Sequence, residues 1–157
     1  MKAEALAPHQ VMALSRTLQV CPDPVRLYDV CCDGGRRRDT LLLESADQTT
    51  ASGEKSLVLT RAALRLCCRG NEVEVTALSV NGHNTLPRLR DALESKADVT
   101  LDGERLVARF APAVTETRSE RQRLAAPSVL DVIRIAVLDL QFVGGDTALR
   151  PMVAACF

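Results

Sequence analysis

The residues whose types could do chemistry are six cysteines, two histidines and several carboxylates. The cysteines are Cys21, Cys31, Cys32, Cys67, Cys68 and Cys156. Four of them form two directly adjacent pairs, a spacing that suits neither a CxxC redox motif nor a zinc knuckle. His9 and His83 do not stand at metal-ligand spacing from them. We therefore expect reduced cysteines that are buried as small hydrophobic side chains and no metal site.

The carboxylates and glycines do not form a recognisable catalytic motif. Glu44, Glu72 and Glu74 fall on predicted strands with arginines nearby, so solvated ion pairs are expected there. The chain contains no G-x-S-x-G nucleophile elbow and no P-loop, and Gly144-Gly145 is too little for a dinucleotide fingerprint. The basic run Arg36-Arg37-Arg38 is typical of a solvated turn rather than a phosphate site. The residues alone therefore predict no catalysis and no cofactor.

The composition narrows the class of protein. The chain has 157 residues, 46% of them hydrophobic, which suits one globular domain and makes general disorder improbable. Its 20 Lys and Arg balance 20 Asp and Glu, and aromatic residues make up only 3%. A nucleic-acid partner is therefore not expected, since phosphate binding needs surplus positive charge. With neither a signal peptide nor an 18-residue apolar run, we expect no membrane contact and a cytoplasmic location.

A β-hairpin is the clearest predicted element. Leu64–Arg69 and Glu72–Ala77 both alternate between apolar and other residues, and Gly70-Asn71 between them suits a type II′ turn. A two-residue turn pairs Arg69 with Glu72 and leaves one face of the hairpin wholly apolar. The register required by the turn and the register required by the apolar face agree.

Further strands are predicted on both sides of this hairpin. Residues 1–20 are expected to contain a strand or an irregular lead-in, and Thr40–Ser45 and Ser56–Thr60 are expected to be strands. The continuous apolar run within Thr40–Ser45 predicts burial on both faces. A second hairpin is expected over Asp98–Phe110, with its turn at Asp102-Gly103.

The first predicted helix begins after Cys21. Asp23 is expected to cap it, Pro24 suits its first position, and Gly34-Gly35 is expected to end it. Its apolar side is predicted to comprise Val25, Leu27, Tyr28, Cys31 and Cys32.

Two more helices are expected later in the chain. Asn84 is predicted to cap the second helix, which places Pro87 in its first turn. Its buried stripe is predicted to be Leu86, Leu89 and Leu93. Ser128 is predicted to cap the last helix, Val129–Phe142, with Gly144-Gly145 ending it. The predicted fold class is α+β: an antiparallel β-sheet of hairpins with flanking helices.

A resemblance to a known family enters at Thr40–Asp47. This segment reads TLLLESAD and resembles the LLES motif near the start of anthranilate synthase component I. The resemblance continues in frame through further segments, which are Asp23–Tyr28, Lys55–Leu59, Ala63–Leu66, Val75–Gly82 and Leu124–Arg134. It covers roughly residues 21–145. It implies the anthranilate synthase/chorismate-utilising enzyme fold, with residues 1–145 as the matching domain and residues 146–157 as an unmatched tail.

The family also implies a function. Its members make anthranilate from chorismate in tryptophan biosynthesis, with magnesium and with ammonia delivered by a glutamine amidotransferase subunit. The LLES region forms half of a feedback site for L-tryptophan. By their positions in the matching segments, the resemblance assigns Glu44 and Ser45 to the binding of L-tryptophan, and Lys55 is a third candidate. A strand end offers a carboxylate and a hydroxyl to the ammonium group of an amino acid. The alternative for Ser45 is an ordinary turn residue after a strand.

The chain also departs from the family pattern. Residues 146–151 do not match the Tyr-Asp-containing segment that follows the Gly-Gly in the family. The chorismate and magnesium residues, and the other half of the tryptophan pocket, lie in a C-terminal region that has no counterpart here. We therefore expect an N-terminal regulatory portion without catalysis of its own. The alternatives are a stand-alone amino-acid sensor and a truncated reading frame.

Overall fold

The computed structural model describes residues 10–20, 22–44, 56–112, 119, 121 and 125–145. The elements in chain order are β1 (Gln10–Ala13), α1 (Pro24–Cys31), β2 (Leu41–Glu44), β3 (Ser56–Leu59), β4 (Leu64–Arg69), β5 (Glu72–Ala77), α2 (Val80–Leu93), β6 (Asp98–Asp102), β7 (Arg105–Arg109), α3 (Leu130–Leu138) and β8 (Gln141–Gly145). The described residues of 16–62 form one compact unit, and the other described residues form a second. The class is α+β, as predicted.

The larger unit is built on a four-stranded antiparallel sheet with strand order β4-β5-β7-β6. Its first hairpin has the predicted register, with Arg69 opposite Glu72 and Leu64 opposite Ala77. Gly70 has φ +57°, whereas Asn71 does not have a positive φ, which fits the predicted type II′ turn. Turn chemistry and the apolar alternation are both local features, so the sequence was sufficient to predict this hairpin.

The second hairpin differs from the prediction by one residue. Asp102 lies opposite Arg105, so the two-residue turn is Gly103-Glu104 and not Asp102-Gly103. Gly103 has φ +55° and therefore takes the same first turn position that Gly70 takes in the first hairpin.

Helix α2 begins earlier than predicted. Ser79 is the N-cap, and its Oγ accepts a 3.2 Å hydrogen bond from the backbone N–H of Gly82. The expectation that Asn84 caps this helix is wrong, and Pro87 consequently lies in the helix interior and not in the first turn. The reason is tertiary, because Gly82 lies against the Ala63 carbonyl, where a Cβ atom would clash. Glycine at this position therefore allows the first turn of the helix to approach the chain just before β4.

The last helix is shorter than predicted. It ends at Leu138, and residues 141–145 form β8, so the expectation of a helix over Val129–Phe142 ended by Gly144-Gly145 is wrong. Strand β8 pairs in parallel with β1, with Gln10 opposite Gln141. The sequence did not predict this pairing, which joins the start of the described chain to its end. The expectation that Ser128 caps α3 is wrong, since the N-cap is Val129 and it makes no side-chain capping hydrogen bond. Asp131 does reach back as expected, because its carboxylate accepts a 2.8 Å bond from the Ser128 backbone N–H.

The core of the larger unit lies between one face of the sheet and helices α2 and α3. The predicted stripe is fully buried, since Leu86, Leu89 and Leu93 are each at most 1% exposed. It packs with side chains from the sheet and from α3, which include Val73, Val75, Leu106, Ala108, Phe110, Val132 and Ile135. Arg88 also joins the two helices, because its guanidinium donates a 3.2 Å bond to the Ile135 carbonyl.

The smaller unit consists of α1 and the antiparallel pair β2-β3. Asp23 caps α1 as predicted, because its carboxylate accepts a 2.8 Å bond from the Arg26 backbone N–H, and Pro24 is the first helical residue. Only Cys32 of the predicted apolar side is buried, whereas Val25 and Leu27 are exposed. Across the described residues, no helix is long and apolar enough to cross a membrane.

Candidate functional site

Glu44 is the described member of the predicted tryptophan site. It is the last residue of β2, its side chain is exposed, and it lies directly opposite Ser56, the first residue of β3. The other two predicted residues, Ser45 and Lys55, lie outside the described residues. They adjoin Glu44 and Ser56 in the chain, so the register brings the chain neighbours of both candidates together at one end of the strand pair.

The strand that carries Glu44 is less buried than expected. Leu41 and Leu42 are half-buried, whereas Leu43 is 52% exposed. The prediction that this apolar run is buried on both faces is therefore wrong. Among the described elements, β3 is the strand that pairs with β2, and α1 contacts both of them.

The entry to β2 is held by side-chain hydrogen bonds that the sequence did not predict. The hydroxyl of Thr40 donates to the Arg37 carbonyl at 2.8 Å, and the Tyr28 hydroxyl lies 3.0 Å from the same Thr40 Oγ1. A threonine hydroxyl has one hydrogen, so Tyr28 is the donor in the second bond. The sequence predicts Tyr28 only as an apolar residue of α1, because no local spacing indicates that its hydroxyl reaches Thr40.

The other predicted carboxylates lie in the larger unit, on the exposed face of its sheet. Arg109 Nε lies 2.7 Å from a carboxylate oxygen of Glu72, and Arg105 Nη2 lies 2.5 Å from one of Glu74. The hydrogen bond from Arg105 holds the pKa of Glu74 below its ordinary value, and the same contact raises the pKa of Arg105. Solvated ion pairs were predicted for both glutamates, and the ion pair of Glu72 is made with Arg109 on β7.

The cysteines correct one expectation. Cys32 is buried, but Cys67 and Cys68 are exposed near the end of β4, which is an edge strand. All four described cysteines are free thiols. Burial is therefore wrong for Cys67 and Cys68, because an edge strand presents its last residues to solvent.

The family resemblance implies magnesium, which acidic side chains would have to hold. Within the part of the chain that the structure describes, no three His, Cys, Asp or Glu residues come together in a way that could hold a metal ion. Glu72 and Glu74 are engaged by arginines. The described residues therefore do not fit a magnesium site.

The chain resembles several curated proteins named anthranilate synthase component 1. It is 39% identical to the Salmonella typhimurium protein over 113 residues, which are 72% of this chain and 21% of that protein. It is 32% identical to the Vibrio parahaemolyticus protein over 126 residues, which are 80% of this chain and 23% of that protein. The Citrobacter freundii protein is 38% identical over 112 residues, which are 71% of this chain and 73% of that protein.

The share of each relative that the chain matches agrees with the order of the family motifs along this chain. The chain spans about a quarter of the length of the Salmonella and Vibrio relatives, a share that fits the predicted N-terminal region. No family model matches the chain. Identity above 30% over most of the chain, together with 73% coverage of the Citrobacter protein, establishes the family. The chain belongs to the anthranilate synthase component 1 family.

Proposed function

We propose that the chain is the N-terminal regulatory portion of an anthranilate synthase component 1 and carries half of a feedback site for L-tryptophan. The observation that supports the proposal is the exposed Glu44 carboxylate, which ends β2 within the LLES segment of a chain from this family. The enzyme would serve tryptophan biosynthesis in the cytoplasm, adopt the chorismate-utilising fold, and work with a glutamine amidotransferase subunit.

The chemistry of the proposed half-site is that of amino-acid recognition. The Glu44 carboxylate would pair with the ammonium group of L-tryptophan, since charge-assisted hydrogen bonds are the stronger ones. The Ser45 hydroxyl and the Lys55 ammonium would hold the polar end of the ligand. Because Glu44 is exposed, its contribution is small until the remaining protein covers the ligand. We therefore propose that the chain alone binds L-tryptophan weakly and forms no anthranilate.

A chimera tests the regulatory role. In this chimera the chain replaces the matching segment of the Salmonella typhimurium relative, and anthranilate formation is measured as L-tryptophan is added. Inhibition of the chimera is expected, and Glu44→Gln should raise the half-inhibiting concentration about tenfold or more, since a hydrogen bond to a charged group contributes about 1.5–3 kcal/mol. Glu104→Gln is the matched control, because Glu104 is an exposed glutamate in the β6–β7 turn. A chimera that L-tryptophan does not inhibit contradicts the proposal.

Two measurements on the purified chain separate the alternatives. Calorimetry with L-tryptophan should show weak binding or none, whereas tight binding would favour the stand-alone sensor. Incubation with chorismate, ammonia and magnesium should produce no anthranilate above the level of a protein-free control. Anthranilate formation by the chain alone would refute the absence of catalysis.

A further inference from the structure

The pairing of β2 with β3 has little to specify its register. Strand β2 reads LLLE and β3 reads SLVL, so both strands carry apolar side chains at successive positions. Register is strongly specified where an apolar face alternates with a polar one, and weakly where it does not. A slip of one residue would still place leucine opposite leucine or valine. It would also move Glu44 to the other face of the strand pair.

The short length of β2 and β3 also weakens their pairing. Each strand has four residues, and within the described residues the pair is two-stranded. An isolated two-stranded pair is marginally stable in water and needs another element packed against it. Helix α1 contacts both strands and is the described element that supplies this support.

A polar anchor sits where β2 begins. Thr40 directly precedes Leu41, and its hydroxyl donates to the Arg37 carbonyl at 2.8 Å while it accepts from the half-buried Tyr28 of α1 at 3.0 Å. Arg37 in turn is tied to the end of α1, because its backbone N–H donates to the Cys32 carbonyl at 3.1 Å. These bonds place Thr40 at one position relative to the helix.

We infer that Tyr28 is a positioning residue for the proposed tryptophan half-site: its hydrogen bond to Thr40 holds β2 in the one register that sets Glu44 opposite Ser56. The inference rests on the proposed function for the ligand. The effect of Tyr28 on the register of β2 follows from the hydrogen bonds of Thr40 and does not depend on the ligand. A directional hydroxyl pair can select one register where a run of leucines cannot, because a slipped strand would lose both bonds.

The first test is made on the purified full chain by NMR. Tyr28→Phe should raise the amide hydrogen-exchange rates of Leu41–Glu44 by about fivefold, the factor expected for the loss of one net hydrogen bond. Thr40→Val removes both bonds of the Thr40 hydroxyl and should raise these rates by at least as much. The cross-strand Hα contacts that report Leu42 opposite Val58 should weaken in both variants. Thr40→Ser keeps a hydroxyl and should restore the wild-type pattern.

A matched control separates register from general destabilisation. Thr85→Val removes a hydroxyl-to-carbonyl bond of the same 2.8 Å length, from Thr85 to Asn81 in α2 of the other unit. It should leave exchange in β2 unchanged. Equal exchange rates in β2 of the wild type and Tyr28→Phe would overturn the inference.

The second test uses the chimera described above. Tyr28→Phe should raise the half-inhibiting L-tryptophan concentration about fivefold. Adding Tyr28→Phe to Thr40→Val should raise that concentration little further, because Thr40→Val already removes the hydrogen bond from Tyr28. If the wild-type chimera and Glu44→Gln behave as proposed but Tyr28→Phe is inhibited like the wild type, this inference alone fails. If the wild-type chimera is not inhibited at all, the proposed function fails, and the assignment of Tyr28 to that site fails with it.

Discussion

At the scale of single residues, the exposed sheet face depends on pairs that join different strands. Glu74 on β5 receives a hydrogen bond from Arg105 on β7, and the two residues are 31 positions apart. The sequence placed arginines near these carboxylates without identifying which arginine pairs with which. Only the order β5-β7 in the sheet brings Arg105 to Glu74.

The Glu74 pair predicts a pH dependence of stability. The folded-state pKa of Glu74 is lowered, so its carboxylate stabilises the fold above the pKa of an unfolded glutamate, about 4.3, and this contribution is lost as pH falls through the lower folded value. Glu74→Gln should therefore reduce the difference in unfolding free energy between pH 7 and pH 3. Urea unfolding at both pH values measures it. Glu104→Gln is the control, and an equal change in both variants would contradict the prediction.

Gly82 is a second residue with a distinct role. A Cβ atom at this position would lie 1.9 Å from the Ala63 carbonyl oxygen, which is backbone that cannot rotate away. Helix propensity favours alanine by about 1 kcal/mol, whereas overpacking costs about 1–3 kcal/mol or more. Gly82→Ala should therefore destabilise the chain, as measured by urea unfolding.

The control for this change is Gly70→Ala. Gly70 has open space around its Cβ position but φ +57°, so its substitution should cost about 1–2 kcal/mol from the left-handed backbone alone. Unfolding free energies that are unaltered or increased by Gly82→Ala would show that the close contact with Ala63 is not maintained in solution.

At the scale of elements, the first hairpin and the buried stripe of α2 followed local patterns, whereas the start of α2 and the end of α3 did not. Helix α2 is capped by Ser79 and starts at Val80 because Gly82 allows the first turn to approach Ala63, although Asn84 is also an acceptable capping residue. The chain after Leu138 leaves the helix because residues 141–145 pair with β1. In both places a distant segment decides where the helix begins or ends.

The cap of α2 can be tested directly. Ser79→Ala should lower the unfolding free energy by about 1 kcal/mol, because it removes the acceptor for the Gly82 N–H. Asn84→Ala should be neutral or slightly stabilising, since Asn84 is an exposed residue within the helix and alanine has the higher helix propensity. Chemical denaturation measures both variants. The reverse order of effects would restore Asn84 as the cap.

At the scale of the whole molecule, exposed apolar side chains concentrate in the first third of the chain. Among the residues that the structure describes, most of the exposed large hydrophobic side chains lie between residues 12 and 43, and they are Met12, Leu14, Leu18, Val20, Val25, Leu27, Val30 and Leu43. Exposed apolar residues in such number favour association, whereas scattered single ones are ordinary. Six of them lie in the smaller unit, and they are Leu18, Val20, Val25, Leu27, Val30 and Leu43.

The exposed apolar side chains of the smaller unit predict self-association of the purified chain. Val30→Lys should weaken association about tenfold, since burying a valine side chain contributes about 1.5 kcal/mol or more. Sedimentation velocity over a range of concentrations measures the dissociation constant. Val80→Lys is the matched control, because Val80 is 76% exposed, close to the 75% of Val30, but lies outside residues 12–43. Equal effects of both substitutions would contradict a role for this region.

Several local features of this protein, and its family, could be predicted from the sequence alone. The hairpin register, the Asp23 cap, the buried leucines of α2 and the family itself follow from turn residues, apolar periodicity and motif order, all of which act over short stretches of chain. Three other features depend on the tertiary structure. They are the parallel pairing of β1 with β8, the capping of α2 by Ser79, and the hydrogen bond from Tyr28 to Thr40. Each of these depends on groups that the chain brings together from a distance, and a single sequence does not record such contacts.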